Sequence, residues 1–591
     1  MRRLPLVLLG ASCTAALAST PANPELTGVD YRWVFPSDGI MLSHHYGAHG
    51  HANGYLPPNV SAWTDASHPL RSKFLTSTMQ ALQLGNYRYP GGGQCDWWLW
   101  RNETFGPAAS PSQLAVSQAA QQAFSPHALG ISEFAQVVRA ADSDFLLTLD
   151  VSRSGPASDT GVPALVAERL GQPGSGRGLR FEMGSEEYGA AKGFPQPGGF
   201  FGSPDYMAAV TDLIAAVHAL PGARVGVGVH PCPFVYPEGT MGGHGSGKCY
   251  DNHTGAIGRF HAWNANLSRI CTERSARGAD RCDAVIVHIY KCNPALLSLM
   301  RDDQLLSTFL AVPEVMVDNA VASLRRDYPN GTKLWISEYN TFWEAASHGA
   351  ADVPSRTCSK CRPAIGTFFN STFNSEAHAI HVAGYLLAAM ANGDIVEVMN
   401  YHSFFEGPEF HSVGPTHKPG EAIEGVTGYY SAVVNDSGTY IGPVAQMFGM
   451  FSRWLRADGA TMEGVQLPPE APTVPFNLSV TSLLDGPAFC VQAAAICGSS
   501  NRSAGAGDSR VIAINRCLHP ISVSVPIGDA CGGGRRGWQS TESFNASMEY
   551  SVWARLTEAT PHDGPMRPVR GPGGSGLDAA LAPHSFTVVL L

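Results

Sequence analysis

The stretch Leu179-Arg180-Phe181-Glu182-Met183-Gly184-Ser185-Glu186 sets the reading of this chain: a short strand-like run, Leu179 to Met183, breaks at a glycine and delivers a glutamate just beyond its end. A second run has the same form, Leu334-Trp335-Ile336-Ser337 closing on Glu338. Working outward, further short strand candidates, most ending in polar residues, lie at Asn86 to Tyr89, Phe145 to Asp150, Val225 to His230, Val285 to Tyr290 and Val396 to Tyr401. Amphipathic helices fall between several of them. The clearest opens at Ser203-Pro204-Asp205, a capping residue with proline at the first helical position. Its apolar residues Tyr206, Val210, Leu213, Val217 and Leu220 step by four, three, four and three. Leu70 to Leu84, Val315 to Leu324 and Ala377 to Met390 read as further helices. Repeated strand-then-helix units predict an α/β fold, a parallel barrel or a doubly wound sheet. Seven strands plus a first one near Ile40 to His45 favour a (β/α)8 TIM barrel, placed at residues 28–457.

The pattern changes after a helix at Val444 to Leu455. Short strand-like runs follow at Phe476 to Thr481, Val511 to Asn515, Ile521 to Val525, Tyr550 to Leu556 and Ser585 to Leu590, with glycine-rich breaks at Ser499 to Asp508 and Gly571 to Gly576. Residues 458–591 are therefore expected to form a C-terminal all-β sandwich. A chain of 591 residues is long for one core, which agrees with two domains.

Composition narrows the function classes. The net charge is −10 with no basic run, which argues against nucleic acid and anionic membrane as partners. The N-terminus has the form of a signal peptide over residues 1–18: Arg2-Arg3, an apolar Leu4 to Leu9, and Ala16-Leu17-Ala18 as a small-residue cleavage site. No segment reaches the roughly 20 apolar residues of a membrane span. Cleavage after Ala18 would remove Cys13 and leave twelve of 13 cysteines, an even number suited to disulfides. Ten Asn-X-Ser/Thr sequons follow, at Asn59, Asn102, Asn252, Asn266, Asn330, Asn370, Asn435, Asn477, Asn501 and Asn545. Together these predict a secreted, disulfide-bonded glycoprotein.

Two glutamates at the C-terminal ends of different barrel strands have the placement that retaining glycosidic hydrolysis demands. One carboxyl protonates the leaving oxygen and the other attacks the anomeric carbon, from about 5–5.5 Å apart. Glu186 and Glu338 are the candidate pair. Against them stands the plainer reading that a strand-end glutamate is a surface or salt-bridged residue. Glu182 and Glu187 compete locally with Glu186; Glu182 lies within the strand, where pairing to a neighbouring strand is expected. No cofactor is implied. The histidines at 44, 45, 49 and 51 have no carboxylate or cysteine at metal-binding spacing, so no metal site is expected there. Cys358-Ser359-Lys360-Cys361 reads as a source of structural disulfides.

A set of ordered motifs carries a family resemblance. Arg88-Tyr89-Pro90-Gly91-Gly92, then Trp97 to Trp100 and Gly106-Pro107, resembles the second-strand motif of the α-L-arabinofuranosidases of glycoside hydrolase family 51. Phe181 to Glu186 resembles the acid/base motif of clan A glycosidases, His288-Ile289-Tyr290 their sixth-strand motif, and Trp335 to Asn340 their nucleophile motif. Ile514-Asn515-Arg516 and Pro583 to Val588 are similar to the family's C-terminal sandwich. The resemblance implies Glu338 as nucleophile, Glu186 as acid/base, Arg88 holding the nucleophile ionised, Tyr290 hydrogen-bonded to Glu338, and His288 lining the sugar subsite. Ser185 stands where clan A enzymes carry an asparagine that contacts the sugar 2-hydroxyl, so a weaker hydroxyl contact is expected. Trp97 and Trp98 are expected to stack on sugar faces, with one or two of the local tryptophans buried. Asn400, Tyr401 and His402 are expected subsite residues. The heparanase-like family 79 shares much of this architecture. A β-glucuronidase-like activity on acidic glycans, or a non-catalytic carbohydrate-binding cell-wall protein, therefore stays open beside an arabinofuranosidase acting on an oligosaccharide or polysaccharide.

Overall fold

The computed structural model describes residues 20–30, 80–90, 98–101, 104–105, 131–151, 159–171, 178–188, 202–235, 256–277, 281–289, 302–340, 375–401, 405–406, 432–435, 438–457, 459–465, 474, 488–498, 509–524, 538–545, 554–555, 566, 569–574, 578–582 and 584–590. Eight parallel strands close into a barrel: β1 (Gly28–Asp30), β2 (Asn86–Tyr89), β3 (Asp144–Leu149), β4 (Arg180–Met183), β5 (Arg224–Gly228), β6 (Ala284–Ile289), β7 (Lys333–Tyr339) and β8 (Val396–Tyr401), with β8 pairing back onto β1. Helices α1 (Ile131–Ala140), α2 (Val162–Leu170), α3 (Ser203–His218), α4 (Ala256–Ala276), α5 (Asp302–Asp327) and α6 (Glu376–Ala391) fill successive connections from β2 to β8, and α7 (Pro443–Leu455) follows β8.

Seven strands fall within a residue or two of their sequence positions. The first does not: β1 is Gly28–Asp30, upstream of the expected Ile40 to His45, which lies outside the described residues. Its shortness explains the miss, since three residues carry no readable period. Helix α3 is capped by Gly202 rather than Ser203, with no side-chain cap bond.

The barrel interior is layered as close packing in such a barrel requires. A middle layer of Leu146, Ala284, Ile286, Trp335 and Val398 plugs the lumen. Gly226 on β5 makes room for it: a Cβ there would lie 2.6 Å from Ile286 Cδ1 and from Trp335 Cε3. Below the plug, Arg180 and Arg224 neutralise Glu25 and Glu397. Above it lies a second polar layer, which forms the candidate site.

The second unit is built on a seven-stranded antiparallel sheet in the order Thr20–Pro21, Thr461–Gly464, Val491–Cys497, Arg510–Asn515, Ser585–Leu590, Trp538–Asn545 and Val569–Gly574. Strand alternation divides its side chains. Ala494, Ile496, Ile512, Ile514 and Val588 join the barrel core, whereas Val491, Ala493, Ala495, Val511, Ala513 and Val589 pack with Ile521 and Leu581. Those last two belong to a small sheet of Ile521–Ser524 and Asp578–Leu581. Two sequence readings change here. Gly571 to Gly576 is not simply a break, because Val569–Gly574 is an edge strand. Of Tyr550 to Leu556, Ala554–Arg555 is a strand, and it pairs with Gly438–Ile441 in a separate sheet. Arg516, buried in the sandwich, pairs with Glu314 of α5. Disulfides join Cys271 to Cys282 and Cys490 to Cys517.

Candidate active site

Side chains from five of the barrel strands converge above the Trp335 layer: Arg88 of β2, Thr148 of β3, Glu182 of β4 and Glu186 just beyond it, His288 of β6 and Glu338 of β7. Arg88 is fully buried and lies between two carboxylates. Its Nε and Nη2 donate to Glu182 Oε2 and Oε1 at 2.5 and 3.0 Å, and its Nη1 donates to Glu338 Oε1 at 2.5 Å. Two contacts to one carboxylate fix the plane of the guanidinium, so the third N–H is aimed. Thr148 and Ser337 each donate a further 3.0 Å hydrogen bond to Glu182. Burial alone would push the Glu182 carboxyl up; Arg88 and His288 outweigh it and hold the group below its ordinary value.

Two backbone irregularities bring Glu186 and Glu338 into this layer. Beyond β4, Gly184 takes φ 72°, and a Cβ there would lie 2.3 Å from Glu187 Oε1. Glu186 itself has φ 57°, a conformation costly for a side chain of its type. On β7, Trp335 is opposite Ile286 and Glu338 is opposite His288. Three steps on β7 thus match two on β6, the signature of a β-bulge. The extra residue lets consecutive side chains, Ser337 and Glu338, both reach the lumen.

His288 ties the layer together. Its Nδ1 is 2.9 Å from Glu186 Oε1 and 3.4 Å from Glu338 Oε2, and its Nε2 is 3.0 Å from Ser337 Oγ. Ser337 uses its proton on Glu182, so Nε2–H donates to Ser337, while Nδ1–H faces two carboxylates. Both nitrogens are donors, which makes the ring an imidazolium. Burial opposes that charge, but Glu338, Glu182 and Glu186 outweigh it and push the pKa up to about 10. Glu186, His288 and Glu338 each offer an atom within 4.8 Å of the others. A doubly protonated ring, however, has no lone pair for a metal.

The remaining expected residues are placed as follows. Ser185 is buried, and its hydroxyl accepts from Arg88 Nη2 at 3.2 Å rather than lying open to a sugar. Asn400 is buried on β8 and donates its amide to Asn86 Oδ1 at 2.6 Å, a barrel-packing contact rather than the expected subsite one. Trp98 lies on a two-residue strand paired with Thr104–Phe105. Trp100 is buried and packs edge-on to Tyr89 at 5.9 Å. Trp97, Tyr290, His402, the histidines at 44–51 and Cys358 to Cys361 lie outside the described residues. Sequence reasoning passes over Thr148 and Ser337 and gives Glu182 only a pairing role. A signal for Glu182 is present: a charge inside a barrel strand demands an opposite charge across the lumen, and Arg88 is the in-strand cation nearest the same end.

The fold and this layer define the class first: a (β/α)8 barrel with a C-terminal β-sandwich and a cation-braced set of glutamates at the barrel's C-terminal face. Solved structures that share this fold include three arabinofuranosidases of glycoside hydrolase family 51. The enzyme from Xanthomonas axonopodis pv. citri is 15% identical, with 98% of each chain covered and a TM-score of 0.54. The AbfB enzyme from Bifidobacterium longum is 13% identical over 98% of this chain and 96% of its own, with a TM-score of 0.57. That of Thermotoga petrophila RKU-1 is 13% identical over 98% of both, with a TM-score of 0.54. No family model and no curated protein sequence matches the chain.

Proposed function

We propose that this chain is a secreted retaining glycoside hydrolase, with α-L-arabinofuranosides as its first-choice substrates. One observation carries the reading: a carboxylate oxygen of Glu186 and one of Glu338 lie within 4.8 Å of each other, with His288 between them. Retaining hydrolysis calls for roughly 5–5.5 Å between the carboxyls, and inverting hydrolysis needs about 6.5–9.5 Å to admit a water.

Glu338 attacks the anomeric carbon as the bond to the leaving oxygen breaks, and Glu186 gives that oxygen its proton. Water then attacks the glycosyl–Glu338 ester, passing a proton back to Glu186 and freeing Glu338. Arg88 and His288 keep Glu338 anionic and aimed. Glu186, with its side chain 20% exposed against 8% for Glu338, is the carboxyl open to exchange protons with solvent. The arabinofuranoside preference draws on the motif order together with the shared architecture. Secretion draws on the leader-like N-terminus, disulfides such as Cys271–Cys282 and Cys490–Cys517, and the exposed sequon residues Asn330 and Asn545. In the described residues no helix is long and apolar enough to cross a membrane.

The test is a screen of nitrophenyl α-L-arabinofuranoside, β-glucuronide, β-galactoside and β-xyloside with wild type, Glu186→Ala and Glu338→Ala. Hydrolysis of the arabinofuranoside that vanishes in Glu338→Ala is expected. Activity that survives Glu338→Ala removes the nucleophile assignment, and a glucuronide preference replaces the substrate.

A further inference from the structure

We infer that Glu182 is the counter-charge that keeps Glu186 in its acid form: a positioning residue acting through Arg88 and His288, not one that touches substrate. This rests on the roles proposed for Glu186 and Glu338.

The charges of the described groups in this layer support it. The groups facing Glu182 are Arg88 from β2, Thr148 from β3, His288 from β6, and Ser337 and Glu338 from β7. From β5 the inward positions are glycines, Gly226 and Gly228. Arg180, two residues earlier on β4, is a layer below with Arg224, facing Glu25, Glu397 and Asp144. Among the described residues in mutual contact in the upper layer, the guanidinium and the imidazolium supply two positive charges, and Glu182, Glu186 and Glu338 supply up to three negative ones. One proton brings the layer to neutrality.

The contacts decide where that proton sits. Glu182 accepts from Arg88 twice, from Thr148 and from Ser337. Glu338 accepts from Arg88 at 2.5 Å and lies 3.4 Å from His288 Nδ1. Of these groups His288 is the one that reaches Glu186, at 2.9 Å, whereas Arg88 reaches both Glu182 and Glu338. The excess proton therefore belongs to Glu186. With Glu182 neutral, two cations face only Glu186 and Glu338, and the layer is balanced with both ionised. Glu186 then sheds its proton at lower pH. Glu187 and Asp150 lie beyond the ends of their strands and are common to every variant, so they leave the difference unchanged.

The experiment is the pH dependence of kcat/KM on a glycoside with an unactivated alkyl or sugar leaving group, which reports the acid in the free enzyme. Glu182→Gln is expected to move the alkaline limb to lower pH by about one to two pH units, the size of one charge acting across an imidazole in a protein interior. Glu182→Asp keeps the charge and loses the fit, so its rate falls while the limb stays in place. A Glu182→Gln enzyme whose rate drops evenly at every pH overturns the inference, because a purely structural residue behaves that way. A limb displaced in Glu182→Asp overturns it equally, and decides alone if Glu182→Gln does not fold. Failure of the underlying reading looks different: hydrolysis persists in Glu338→Ala.

Discussion

Replacing Arg88 with methionine isolates the electrostatic brace of the barrel. The side chain is fully buried and makes three short contacts to two carboxylates, at 2.5, 2.5 and 3.0 Å. Methionine fills much of the same volume, so the loss is chiefly of charge. Removing one partner of a buried pair costs about 3–5 kcal/mol, because the other charge stays buried without compensation. For a cooperative unit of this size that is a drop of roughly 3–5 °C in Tm at neutral pH. The pH dependence makes the test specific. In the wild type, Glu182 is held below its ordinary value despite burial. Its stabilisation is present above the unfolded carboxyl value of about 4.3 and is lost as pH falls through the lower folded value. In Arg88→Met burial is no longer outweighed by the guanidinium, so the folded value rises above the unfolded one. Glu182 then favours the folded state below about pH 4 and opposes it as pH rises through the folded value. The gap in Tm between the proteins is therefore widest near neutral pH and narrows as the solution is acidified to about pH 4. Thermal melts followed by near-ultraviolet circular dichroism across that range measure it. A gap that is constant with pH, or absent at neutral pH, refutes the brace.

Glu186→Gly relieves a positive φ and is expected to raise stability by about 1 kcal/mol while hydrolysis of unactivated glycosides falls by roughly a hundredfold or more; denaturant melts and turnover of one preparation show both, and an unchanged or lower stability counts against backbone strain at Glu186. Gly226→Val drives side-chain atoms into Ile286 and Trp335 and should cost about 1–3 kcal/mol, read as a lower Tm without any change in the pH profile of the residual activity. His288, with its pKa pushed up to about 10, remains an imidazolium through neutral pH. The stability it contributes is complete below the unfolded value of about 6.5 and declines as pH rises through about 10; histidine NMR shifts at this ring that titrate near the unfolded value would end the argument for it.

The barrel is legible because its longer strands are short apolar runs with helices of clear period between them. Asn86–Tyr89 and Val396–Tyr401 stand where the sequence puts them. What the sequence hides has local physical causes. Gly28–Asp30 is a strand by virtue of its neighbours on both edges, not of its own three residues. Val569–Gly574 carries three glycines and a proline, and is a strand only because Trp538–Asn545 offers it an edge. Thr20–Pro21 pairs with Thr461–Met462 across the length of the barrel sequence, a contact that no local pattern encodes. In the site, the charged residues within motifs can be picked out, whereas the roles of Thr148 and of Ser337, though the latter sits inside a motif, cannot, because a hydroxyl inside a strand looks the same whether it faces a lumen carboxylate or a helix.

The two candidate carboxylates show why strand position alone is too coarse a guide. A regular strand sends alternate side chains inward, so β7 could present Ser337 or Glu338 to the lumen but not both. The bulge between Trp335 and Glu338 presents both, and the layer uses both: Ser337 bridges His288 to Glu182, and Glu338 takes the arginine. A regular β4 continuation would likewise carry Glu186 past the rim. The turn through Gly184, with Glu186 itself at positive φ, folds it back to within 2.9 Å of His288. Each irregularity costs local stability, and neither is needed to close a barrel. Their shared result is to bring two glutamates to one ring nitrogen, His288 Nδ1, at 2.9 and 3.4 Å. A change that restored regular pairing on β7, such as deletion of Ser337, should therefore leave the barrel folded with Glu338 still opposite His288, while the hydroxyl that bridges His288 to Glu182 is lost. The expected readout is a native circular dichroism spectrum with hydrolysis reduced but above that of Glu338→Ala, and activity as low as that of Glu338→Ala would show that the bulge itself is needed to aim Glu338.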